Sequence, residues 1–209
     1  MKNYTGIALA ALKPEGSIAI ATGTALLEKN RAEKLKQQNY RGYLYTFSSE
    51  EILKPFLSIC RLLADAEYWQ LTREVWMCAE LIEPDKRTWL RLLQSKKPQR
   101  ESLMTSEEHA ALAAMPDEIQ IWRGCGHSAG VHGMCWTIEK SRAEFFASYA
   151  IDSRRKVFIG LNNNTTPIVA SATCRRADVL AYFTGRGESE IVLNPKHLKA
   201  VKFEAASVK

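Results

Sequence analysis

The sequence predicts an α+β fold, with helices gathered in the first half of the chain and short strands in the second. Two patterns carry that expectation. Up to about residue 115, apolar residues repeat at helical spacing behind capping-box starts. Beyond it the texture changes to short β-branched or alternating runs separated by turn residues. The 209 residues suffice for one good-sized domain or two small ones. The division expected is a predominantly helical region over 1–115 and a strand-rich module over 116–209.

Taken in order, a helix is expected around Ala25–Gln38, with Lys29, Arg31, Lys34 and Lys36 on a solvated surface. Ser48 and Glu51 have capping-box spacing, and Ile52, Phe56, Ile59, Leu62 and Leu63 follow as an apolar stripe, with Pro55 tolerated in the first turns. Leu71, Val75, Cys78 and Leu81 make a second stripe that ends before Pro84, and Trp89, Leu92 and Leu93 mark a third helix. The aromatic residues here read as core. Gln94–Met104 is polar and basic and reads as a linker. Thr105 and Glu108 repeat the capping-box spacing and open an Ala/Leu helix that ends near Met115 and Pro116. Strands are expected at Ile119–Arg123, Lys156–Leu161, Ile168–Cys174, Glu190–Leu193 and Val201–Glu204, with one helix near Arg142–Ala150.

Composition bounds the function. Hydrophobic residues at 46% and charged residues at 25% match ordinary globular usage, and no apolar run reaches the ~18–20 residues of a spanning helix, so a membrane location is not expected. Five scattered cysteines are an odd number and a poor disulfide framework, which favours a reducing cytoplasm. The net charge of +6 suits acidic partners such as nucleic acid or a phosphate-rich cofactor, and equally suits a merely solubilising surface.

Three C-terminal segments carry the chemistry: Ile121-Trp122-Arg123-Gly124, then Gly133-Met134-Cys135-Trp136-Thr137 with Phe145-Phe146-Ala147, then Gly185-Arg186-Gly187-Glu188-Ser189-Glu190. Arg123 offers a permanently charged fork of donors for phosphate or ribose oxygens. Gly124 would allow a close approach to the backbone. On an extended strand, residues i and i+2 share a face, so Glu188 and Glu190 would present two carboxylates together.

In this order, a strand ending in Arg-Gly, a second strand with small hydroxyl residues before an Ala-x-x-Phe-Ala-type helix, and a late Glu-x-Glu resemble the arginine/serine/glutamate class of ADP-ribosyltransferases, in its small bacterial or phage-type form. The resemblance covers about Ala110 to Pro195. It implies a two-sheet β-sandwich module that binds NAD in a split cleft, and mono-ADP-ribosyl transfer from NAD to a macromolecular acceptor, protein arginine or nucleic acid. By the same resemblance Glu190 stabilises the oxocarbenium-like state, Glu188 positions or deprotonates the acceptor, and Arg123, Gly124, Cys135, Trp136, Thr137, Phe145 and Phe146 line the cofactor site. One phenylalanine would stack on nicotinamide while the other faces the core. The family commonly has Ser-Thr-Ser where this chain has Cys135-Trp136-Thr137, so by the resemblance either Thr137 supplies the hydroxyl that orients the glutamate, or Cys135 stands in with a poorer donor and activity is reduced.

Cys125, His127, His132 and Cys135 place four zinc-type ligands close together, but the Cys-x-His spacing is shorter than in common zinc modules, and no metal is expected. Glycine-rich phosphate loop, HExxH, nucleophile elbow and kinase signatures are all lacking. The rival functions are an NAD glycohydrolase or non-catalytic NAD-fold binder on the same scaffold, and a basic RNA- or DNA-binding protein.

Overall fold

The computed structural model describes residues 14–80, 82–149 and 167–205. The expected strand at Lys156–Leu161 lies outside the described residues. The chain divides into two compact units, Met1–Ile59 and Cys60–Lys209. No helix among the described residues is long and apolar enough to cross a membrane.

The first unit holds helices α1 (Pro14–Lys36), α2 (Tyr40–Leu44) and α3 (Leu53–Ile59). Arg31 ties α1 to the segment after α2. Its guanidinium lies 3.7 Å from the Phe47 ring centre and donates to the Thr46 hydroxyl at 3.0 Å and carbonyl at 2.9 Å. The expected capping box at Ser48 and Glu51 is not formed: the Ser48 hydroxyl meets the Glu51 carboxylate at 3.5 Å, and α3 begins only at Leu53. Pro55 accounts for the delay. A helix starting at Ser49 would put the proline past the first turn, where it removes a hydrogen bond and clashes with a carbonyl, whereas a start at Leu53 keeps it among amides that have no intrahelical acceptor. Leu62, expected on the same stripe, lies beyond the helix and is 64% exposed.

The second unit joins the remaining helices to all of the described strands. Helix α4 (Asp65–Cys78) buries Tyr68, Trp69, Leu71, Thr72, Val75 and Trp76, and α5 (Lys86–Leu93) buries Trp89, Leu92 and Leu93. Trp76 and Trp89 meet edge to face at 5.0 Å. The polar stretch read as a linker is instead packed. The Trp69 indole donates to the Pro98 carbonyl at 2.8 Å, Leu103 is buried, and Arg100 lies over Trp69 while donating to the carbonyls of Leu93 and, at 3.0 Å, Leu180. Charge made this segment look solvated, but two side chains that donate to backbone carbonyls bind it to the unit. The helices over residues 65–114 therefore belong with the strands, although the sequence placed a boundary at 115.

Helix α6 (Ser106–Ala114) opens with the expected capping box: the Glu108 amide donates to the Thr105 hydroxyl at 3.2 Å, and the Thr105 amide to Glu108 at 2.9 Å. Glu108 is buried and does more than cap. It pairs with both terminal nitrogens of Arg73 on α4, at 2.9 Å for Nη2, and accepts from the Thr184 amide at 2.8 Å.

The strands β1 (Glu118–Cys125), β2 (Cys135–Thr137), β3 (Ile168–Arg175), β4 (Val179–Phe183), β5 (Glu190–Leu193) and β6 (Lys199–Ala205) form one antiparallel sheet in the order β4-β5-β2-β1-β3-β6. Sequence reading missed β4 and anticipated two sheets. The described strands join instead, because three-residue β2 pairs along its length with β5 and touches β1 through Trp122↔Thr137. That single pair is a seam between two three-stranded halves. One face buries Ile119, Ile121, Trp136, Ala170, Ala172, Tyr182 and Ile191, with Leu112 and Met115 of the α6 region packed against it. On the other face, helix α7 (Lys140–Tyr149) lays Ala143 and Ala147 against Val169 and Trp122.

Candidate functional site

The seam opens into a cleft of about 500 Å³ on the α7 face. The sheet and the turn before β5 contribute Trp122, Arg123, Gly124, Cys135, Trp136, Thr137, Glu188 and Glu190; α7 adds Phe146 and Tyr149, and the end of α4 with the residues after it adds Trp76, Cys78, Ala79, Glu80 and Ile82. Register explains the gathering. Trp122, Thr137 and Glu190 sit side by side across β1, β2 and β5, so their side chains share one face. Trp136 is one step out of phase. Its ring is buried in the opposite core and its indole donates to the Gly133 carbonyl at 2.9 Å.

Arg123 holds the seam together where the backbone ladder stops. Its Nε donates to the Gly130 carbonyl at 2.8 Å, its Nη1 to the Cys135 carbonyl at 2.6 Å, and its Nη2 to Glu83 at 3.2 Å. Glu83 also accepts from the Met134 amide at 3.0 Å. Gly133 makes room for this ion pair, since a Cβ there would lie 2.2 Å from the guanidinium carbon. A guanidinium has five N–H donors and these bonds use three, which leaves two for other acceptors. Gly124 is explained differently from the sequence expectation: a Cβ would lie 2.0 Å from the Ala143 carbonyl oxygen and 2.4 Å from the Ala147 amide, so the close neighbour is the backbone of α7.

Glu190 is 7% exposed at the start of β5. Its Oε2 accepts from the Trp76 indole at 3.2 Å, and the Cys135 thiol donates to the same carboxylate. Burial, then the neighbouring Glu190 charge, raise the Cys135 thiol well above its usual range. The thiol is therefore neutral at physiological pH and acts as a donor, since nucleophilic chemistry requires the thiolate. Thr137 is engaged elsewhere, for its hydroxyl donates to the Glu188 carbonyl at 2.9 Å and accepts from the Glu139 amide at 3.1 Å. Between the two candidates for orienting the glutamate, the contact belongs to Cys135.

Glu188 and Glu190 both line the cleft but are not alternate residues of one strand. Glu188 has helical backbone angles, Ser189 has φ +44°, and β5 begins only at Glu190. Several contacts bend the turn. Thr137 holds the Glu188 carbonyl, Arg142 donates to the Gly187 carbonyl at 2.8 Å, and Ser189 donates to Glu139.

Of the phenylalanine pair, Phe146 lines the cleft, whereas Phe145 faces neither cleft nor core. It is 53% exposed and stacks on Tyr149 at 5.9 Å. The Cys/His run is split by the sheet: Cys125 is buried in the core face while Cys135 turns to Glu190 on the other. Among the described residues, no group of three or more His, Cys, Asp or Glu side chains is placed to hold a metal.

Trp76, Glu83 and Tyr149 were not singled out from sequence. Trp76 reads as one more core aromatic on a helical stripe, and no spacing marks Glu83 as the partner of an arginine forty residues away. Comparison of the chain with protein-family models, with curated proteins and with solved structures finds no match.

Proposed function

We propose that the cleft binds NAD and that the protein transfers ADP-ribose from it to a macromolecular acceptor. The observation that supports this reading is the convergence of three separate sequence segments, carrying Arg123, Cys135 to Thr137, and Glu188 with Glu190, on one cleft beside Phe146. Its volume is within the ~300–1,000 Å³ usual for small-molecule sites. In the same reading, the halves β1-β3-β6 and β2-β5-β4 of the one sheet stand where an ADP-ribosyltransferase-like module has its two sheets, and they meet at the Trp122↔Thr137 seam.

The chemistry follows from the side chains. Nicotinamide leaves with the electron pair of its bond to ribose, and the ribose carbon becomes oxocarbenium-like. The Glu190 carboxylate, held by two donors and nearly out of solvent, accepts from a ribose hydroxyl and stabilises that charge. Phe146 provides a face for the nicotinamide ring. The two remaining Arg123 hydrogens serve phosphate or ribose oxygens. Glu188 takes the proton of the acceptor as its nucleophilic atom bonds to the ribose carbon.

The test is incubation of the purified chain with NAD labelled in its adenosine half, first alone and then with a cell lysate. Expected are nicotinamide release and label that survives removal of free nucleotide, with nuclease or protease digestion identifying the acceptor class. Failure to bind or cleave NAD in both conditions would overturn the reading.

A further inference from the structure

We infer that Trp76 is a positioning residue of the cleft, whose indole N–H orients the Glu190 carboxylate and favours its ionised form. The inference rests on the proposed function for its kinetic consequence but not for its geometry. The indole donates to Oε2 at 3.2 Å, and both residues are buried, Trp76 at 1% and Glu190 at 7% exposure. A donor directed at a carboxylate in such surroundings stabilises the charged form and fixes its rotamer. Of the indole and the Cys135 thiol, the indole is the stronger donor, since a thiol donates weakly.

The indole is itself tightly constrained. Trp89 packs its ring edge to face at 5.0 Å, and Arg73, three residues earlier on the same face of α4, is bound to Glu108, which also accepts from Thr184 at the end of β4. Strand register thus sets the Glu190 backbone, while α4 sets its carboxylate. The segment that resembles an ADP-ribosyltransferase starts near Ala110, so this contact comes from outside it. The α4 helix, which precedes that segment, is part of the site.

Titratable groups that share the cleft with Glu190 are Cys135 on β2, Glu188 on the preceding turn, Arg123 on β1, Cys78 at the end of α4, Glu80 just after it, and Tyr149 on α7.

The experiment compares the full chain with Trp76→Phe and with a chain bearing 3-benzothienylalanine at position 76, the same bicyclic ring with sulfur in place of N–H. The isostere preserves packing if the smaller phenylalanine does not. Two readouts are taken: titration of the Glu190 carboxyl by carbon-13 NMR, assigned with Glu190→Gln, and the pH profile of nicotinamide release. The expected result is a Glu190 midpoint higher by about one pH unit, an acid limb of activity displaced the same way, and kcat about tenfold lower at unchanged KM. An unchanged Glu190 midpoint in the isostere overturns the inference. If the unsubstituted chain does not cleave NAD, the proposed function fails, and the carboxyl titration still decides whether Trp76 sets the state of Glu190.

Discussion

Replacing Glu108 with glutamine should remove one of the main ties between the helices and the sheet, and should do so in a pH-dependent way. Burial alone would raise this carboxyl, but the Arg73 guanidinium and the amides of Thr105 and Thr184 override it and hold it at about 2. From the ordinary 4.5 of this carboxyl, at about 1.36 kcal/mol per pH unit, the difference corresponds to about 3 kcal/mol. Arg73 is 21% exposed, so solvent screening reduces the contribution to about 2–3 kcal/mol. Because the folded value lies below the unfolded one, the stabilisation is complete above about pH 5 and is lost as the pH falls towards 2. Urea unfolding at successive pH values should therefore show Glu108→Gln less stable by at least about 2 kcal/mol at pH 7, with the gap narrowing in acid. Parallel stability profiles for the two chains would refute the reasoning, since they would mean that the pair is no stronger folded than unfolded.

Substitutions at two other positions test the packing and the orientation of the cleft. Gly124→Ala should lower stability by about 3 kcal/mol or more, because the added methyl meets the rigid α7 backbone at 2.0 Å; a melting temperature within a degree or two of the unsubstituted chain would contradict the close approach. Cys135→Ser should keep or raise the rate of nicotinamide release by giving Glu190 a better donor, while Cys135→Ala should lower it several-fold; equal rates for all three chains would show that the thiol contact is idle.

The sequence displays this fold where local rules act alone and conceals it where distant parts meet. The Thr105 and Glu108 capping box was legible because both partners lie within one turn, yet the same glutamate's bonds to Arg73 and Thr184 could not be read from spacing. The apolar alternation of Ile119 and Ile121 and of Ala170, Ala172 and Cys174 placed β1 and β3 correctly. The shorter β4 lacked a comparable pattern. Arg123, Phe146, Glu188 and Glu190 were visible as motifs, and the structure places them in one cleft. Their local settings were not visible. Ser189 adopts a left-handed backbone because contacts from Thr137, Arg142 and Glu139 bend the turn, and that separates the two carboxylates from simple strand alternation. Trp76 looked like core and is core, but the edge of its ring also reaches Glu190.

The central claim is that Glu190 stabilises charge at the ribose carbon while Glu188 acts only on the acceptor. The most direct measurement is parallel assay of nicotinamide release and label incorporation for the unsubstituted chain, Glu190→Gln and Glu188→Gln, each first shown to be folded. Glu190→Gln should suppress both activities by about 10²–10³-fold, because the oxocarbenium-like state precedes attack by water and macromolecule alike. Glu188→Gln should retain most cleavage by water and lose transfer by about 10²–10⁴-fold. Full nicotinamide release by Glu190→Gln would contradict the account.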